Sequence, residues 1–174
     1  MGTAVMADWF TTKARSLRST STTGAAPETY EILVVNNAPA RPELTHAVQK
    51  LRDAHRRGRP DLLRLIACPI LGLSAARNAG IAEARGELIC LLDDDAVAEP
   101  EWLARLCAAF DAHPETGVIG GHIHLKIPDP RPPALKPGWE KYWSQFVTGN
   151  VDYAEVRYWW EFPWGANWSA RRAA

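Results

Sequence analysis

From Tyr30 onward the chain alternates between two kinds of apolar spacing. YEILVV, Tyr30 to Val35, is a continuous apolar run rich in β-branched residues, as expected of a strand covered on both faces. NNAP breaks it. Leu44, Ala47, Val48 and Leu51 then recur at i, i+3, i+4 and i+7, one face of a helix. Gly58 and Pro60 close that helix. DLLRLIACP predicts a second short strand over Leu62 to Ala67, and Ser74 is placed to cap a helix from Ala75 to about Ala84. GELICLL predicts a third strand. A helix follows from Pro100 to Phe110, with Leu103, Leu106 and Phe110 on one face, and GVIGGHIHL, Gly117 to Leu125, predicts a fourth strand. Strands and helices alternating at such short intervals predict an α/β fold: a mostly parallel sheet, right-handed crossovers and flanking helices.

The ends differ from this middle. Eight of the thirteen residues from Thr11 to Thr23 are Ser or Thr, without helical or strand periodicity. Residues 1–28 are therefore expected to be poorly ordered, or to offer through Ala4 to Met6 a poor substitute for a first strand and helix. After Leu125 comes the proline-rich PDPRPPALKP, and six of the eight tryptophans lie from Trp139 onward. Residues 126–174 read as a separate Pro/Trp-rich segment.

A length of 174 residues suits one domain with a real core. Lys+Arg and Asp+Glu balance at 20 each, so no global field recommends nucleic acid or an acidic membrane as partner. No apolar run is long enough to span a bilayer, and no signal-peptide pattern opens the chain. Cys68, Cys90 and Cys107 form no zinc spacing; Cys68 and Cys90, in or beside predicted strands, read as small buried apolar groups, which suits a reducing compartment. The expected location is cytoplasmic, at most peripheral to a membrane.

Against this bland background one stretch stands out. Asp93, Asp94 and Asp95 follow the apolar run Leu88 to Leu92, at the strand end where parallel α/β sheets bind ligands. Three adjacent carboxylates repel one another unless a cation sits among them. If the chain stays extended, Asp93 and Asp95 point the same way and can converge on one hard divalent ion, Mg²⁺ or Mn²⁺, that bridges to a diphosphate. A solvated turn preceding Pro100 is the alternative.

GLSAARNAGIAEARGELICLLDDD, Gly72 to Asp95, resembles the core of the family-2 glycosyltransferases, through Gly72, Ser74, Ala76, Arg77, Asn78, Gly80, Ala84, Gly86, Glu87 and the three aspartates. PEW at Pro100 to Trp102 follows where that family often opens its next helix. EILVVNNAP and PWGANWSARR resemble, more weakly, its uridine-side strand and a later segment lining the sugar and acceptor side. The resemblance implies a nucleotide-diphospho-sugar transferase (GT-A, Rossmann-like) fold, incomplete here, and metal-dependent, inverting sugar transfer from a UDP- or GDP-sugar to a carbohydrate or lipid-linked acceptor. It implies a nucleotide-sugar-binding core over 29–125 and an acceptor side, cut short, over 126–174. By position, Asp93 and Asp95 would hold Mn²⁺ or Mg²⁺, Asp94 would lie near the ribose, and Asn36 and Arg77 would serve the donor. Trp164 and Asn167 would face the sugar or acceptor, unless Asn167 holds the loop.

Departures from the family pattern set further expectations. Asn36 stands where the family usually has Asp, which removes a charge. The first strand is weak, so the central slot of the sheet is either poorly filled or empty. No adjacent Glu-Asp pair, the family's source of a catalytic base, occurs in the 174 residues. Little or no transfer by this chain is therefore expected, with a non-catalytic nucleotide-sugar or carbohydrate binding module as the alternative. A phosphatase-type use of the aspartates is disfavoured, because the later lysines, Lys126, Lys136 and Lys141, sit in or beside the proline-rich region. His122 and His124 share a predicted strand face, but no third metal ligand is evident beside them.

Overall fold

A computed structural model describes residues 3–9, 30–37, 42–54, 62–93, 95–143, 145–147, 155–157 and 165–172. Its strands are β1 (Thr3–Trp9), β2 (Tyr30–Asn36), β3 (Leu63–Ala67), β4 (Leu88–Asp93), β5 (Val118–Gly120) and β6 (Asn167–Arg171). The α-helices are α1 (Pro42–Ala54), α2 (Leu73–Glu83) and α3 (Trp102–Ala112). One six-stranded sheet runs in the order β3-β2-β1-β4-β6-β5. The strands β3, β2, β1 and β4 are mutually parallel, while β6 is antiparallel to both of its neighbours. The expected α/β class with a mostly parallel sheet is what forms.

Period-two alternation sorts the core into two layers. Leu33 and Val35 of β2 join Ile89 and Leu91 of β4 and Ala76 of α2 on one face. On the other face, Ile32 and Val34 pack with Val48 of α1, and Cys90 packs with Leu103 and Leu106 of α3. A strand buried on both sides must be apolar throughout, which is why YEILVV and LICLL carry no alternation.

Three local expectations change. TAVMADW does form a strand, and it fills the central slot, pairing in parallel with β2 and β4 along its length. Helix α2 starts at Leu73, so Ser74 is not its cap. Gly72 precedes the helix at φ 129 and ψ 144, without a side-chain cap, in a region open essentially to glycine alone. The strand expected over Gly117 to Leu125 stops at Gly120, and Ile123 makes only an isolated bridge to Phe146.

None of the three cysteines forms a disulfide. Among the described residues no helix is long and apolar enough to cross a membrane.

Candidate functional site

The chain lays down β1, β2 and β3 in one direction across the sheet, then returns to place β4 on the other side of β1. Such a reversal opens a crevice beyond the carboxyl ends of the two strands flanking it. Asp93 ends β4 at that point, and β1 presents Asp8 beside it in register.

Asp93 has the parity of Ile89 and Leu91, whose layer includes α2. Arg77 therefore meets it from that helix: Arg77 Nη2 donates to Asp93 Oδ1 at 3.2 Å. The same nitrogen donates to the Gly165 carbonyl at 3.1 Å. Burial pushes the Asp93 carboxyl above its ordinary value, the Arg77 charge pulls it back, and the Asp95 charge pushes it further up. Desolvation thus outweighs the ion pair.

The chain does not stay extended through the triplet, as the convergence argument required. The Ala96 N–H reaches back to the Asp93 carbonyl at 3.1 Å, closing a turn. Asp95 lies exposed in that turn yet is close enough for its charge to be felt at Asp93. Both are hard oxygen donors sharing one field, which fits a divalent ion. No group of three acidic, His or Cys side chains suited to a metal occurs among the described residues. An ion held by this pair would need further oxygens from a ligand or water, as a diphosphate-bridging ion does.

The other expected site residues lie elsewhere. Asn36 is 3% exposed and ends β2, separated from β4 by β1. Its neighbour Asn37 shapes the approach to α2. Asn37 Nδ2 donates to the Cys68 and Ile70 carbonyls at 3.2 and 2.6 Å, and its Oδ1 accepts the Gly72 N–H at 2.8 Å. Asn167 holds a loop. Its Oδ1 accepts Trp102 Nε1 at 3.0 Å, and its Nδ2 donates to the His122 carbonyl at 3.0 Å. Gly121 must be small there, since a Cβ would lie 2.4 Å from Asn167 Nδ2. Asp94 and Trp164 lie outside the described residues.

The two arginines that close the PWGANWSARR segment serve the helix ends. Arg171 Nη2 donates to the Phe110 carbonyl at 2.7 Å and its Nε to the Thr116 carbonyl at 3.1 Å. Arg172 Nη1 donates to the Ala84 carbonyl. Unpaired carbonyls at a helix C-terminus call for such donors, so both side chains bind helix ends rather than open toward the crevice.

Comparison with known proteins adds to this geometry. The sequence model described as glycosyl transferase family 2 matches residues 14–173. The chain is 34% identical over 74 residues to a glucosyl-dolichyl phosphate glucuronosyltransferase of Haloferax volcanii, spanning 41% of this chain and 22% of that protein. Among solved structures, S. aureus TarS 1–349 superposes with a TM-score of 0.58 at 20% identity, over 74% of this chain and 39% of that one. The Pyrobaculum calidifontis mannosyltransferase PcManGT, solved with GDP-Man and Mn²⁺, gives a TM-score of 0.58 at 20% identity, over 68% and 34%. The two structures share the fold. This chain spans well under half the length of each protein named.

Proposed function

The chain belongs to glycosyl transferase family 2, and from that premise we propose that it binds a nucleoside-diphosphate sugar in the crevice beyond β1 and β4. The observation that carries the reading is the Arg77–Asp93 pair at the point where the strand order reverses. A guanidinium and a carboxylate meeting there match the two needs of a diphosphate: a cation for its oxygens and an acid for its metal ion. Asp93 and Asp95 are the groups that would hold Mn²⁺ or Mg²⁺. The ion supplies Lewis-acid stabilisation of the charge that builds on the departing diphosphate.

Around that ion the chain's own residues have defined work. Arg77 orients the phosphates and Asp94 serves the ribose. Asn36 closes the base side through hydrogen bonding, without the charge an aspartate would bring. Inverting transfer further requires a carboxylate that takes the proton from the acceptor hydroxyl on the face opposite the leaving group. The resemblance assigns that base to a Glu-Asp pair, and the 174 residues contain none. We therefore expect the chain to bind donor with little or no turnover, as a non-catalytic nucleotide-sugar module also would.

The acceptor is a carbohydrate or lipid-linked sugar. Support comes from the Haloferax relative, whose name specifies a dolichyl-phosphate-linked acceptor. A lipid-borne acceptor would bring the chain to a membrane surface peripherally. Trp164 belongs on this acceptor side.

The test is calorimetric titration of the chain with UDP and GDP, with and without Mn²⁺, alongside a transfer assay over a panel of nucleotide sugars. Binding that needs Mn²⁺ and is lost in Asp95→Ala is the expected result. Absence of any nucleotide binding would overturn the reading, and robust sugar transfer would overturn the expectation of inactivity.

A further inference from the structure

Gly165 lies close against Arg77. Positive φ values occur at Gly72 and Gly138 among the described glycines, so no backbone strain demands glycine at 165. A Cβ there would lie 3.2 Å from both Nη1 and Nη2 of Arg77, and the guanidinium would have to give by a few tenths of an ångström. The bare Gly165 backbone is a seat for the guanidinium, and its carbonyl accepts the Nη2 proton that Asp93 does not use.

That seat puts a fixed cation against one of the carboxylates assigned to the divalent ion. A divalent ion arriving alone would compete with the guanidinium for the same half-buried carboxylate. A diphosphate resolves the conflict, because its oxygens accept from the guanidinium while also ligating the ion.

We propose that Arg77 is an exchangeable counter-ion: without donor it neutralises Asp93, and with donor it releases Asp93 to the divalent ion and turns to the diphosphate while staying anchored at the Gly165 carbonyl. The consequence is ordered loading, in which the ion is held firmly only together with the diphosphate. Gly165 is a positioning residue for this exchange. The inference rests on the donor-site reading given above and adds the exchange to it.

Titrating the chain with Mn²⁺ alone, followed by electron paramagnetic resonance of the free ion, isolates the exchange from nucleotide binding. Arg77→Gln removes the competing charge and is expected to tighten Mn²⁺ binding about tenfold, the scale of one lost near-neighbour charge interaction. The same variant should bind UDP or GDP at saturating Mn²⁺ about tenfold more weakly, through loss of a charge-assisted contact. Gly165→Ala keeps the charge but crowds its seat, and should tighten Mn²⁺ binding in the same direction by a smaller factor. Circular dichroism identifies folded variants. If Arg77→Gln does not fold, Gly165→Ala carries the test. Mn²⁺ affinity unchanged or weakened in the folded variants overturns the exchange. A parent chain that binds Mn²⁺ but no nucleotide overturns the donor-site reading instead.

Discussion

Asn167 shows how much one side chain can settle. Its amide accepts from the part-buried indole N–H of Trp102 and donates to the carbonyl of His122 at once. It therefore ties β6 to the start of α3 and to the segment after β5. Asn167→Ala removes both hydrogen bonds, and a part-buried hydrogen bond of this kind contributes about 0.5–1.5 kcal/mol. We expect roughly 1–3 kcal/mol of destabilisation, read as a lower urea midpoint with an unchanged slope. Sequence alone could not choose between loop and ligand here, because an amide donates and accepts equally well in either setting. Cys90 gives a second prediction at this scale. Burial pushes its thiol from 9.0 to about 12. A thiol so raised holds a thiolate fraction of only about 10⁻⁴ at pH 8, so a disulfide reagent at that pH should leave Cys90 unlabelled until the chain unfolds. Cys107, which is half-buried, should react first.

At the scale of elements, apolar spacing located β2, α1, β3, α2, β4 and α3 within a few residues. Each of them buries a face against the sheet or a helix, and burial is what that spacing records. What it missed are features set by contacts distant in sequence. The antiparallel insertion of β6 beside β4 brings Arg171 and Arg172 to the ends of α3 and of the segment after α2, and no local pattern encodes that pairing. The start of α2 was misread for a different reason: Ser74 has the chemistry of a cap, but the turn is set by Gly72, which Asn37 Oδ1 holds through its N–H. A Cβ at Gly72 meets nothing within 4 Å, so any cost of adding one comes from its φ of 129 alone. Gly72→Ala should therefore destabilise by about 1–3 kcal/mol. Ser74→Ala should change stability by less than about 0.5 kcal/mol. Thermal melts of the two variants side by side distinguish a glycine-set turn from a serine cap.

For the whole molecule the least legible element proves the most central. TAVMADW is too short and too mixed to announce itself, yet β1 pairs with β2 on one side and β4 on the other. Its character comes from the two neighbours that recruit it. A missing central strand would leave the facing edges of β2 and β4 with unpaired backbone groups inside the sheet, which is costly. It would also separate β2 from β4, whose Leu33, Val35, Ile89 and Leu91 join one layer with α2, and take Asp8 from beside Asp93. Deleting residues 1–9 should therefore abolish the fold rather than trim it, with loss of the far-ultraviolet signature and aggregation through the exposed edges. Substituting the Ser/Thr-rich stretch 11–23 with an unrelated polar linker of equal length should leave folding and Mn²⁺-dependent nucleotide binding intact. If the chain lacking residues 1–9 melts cooperatively and still binds nucleotide, β1 does not occupy the centre of the sheet, and the crevice at the strand reversal must be built from other strands.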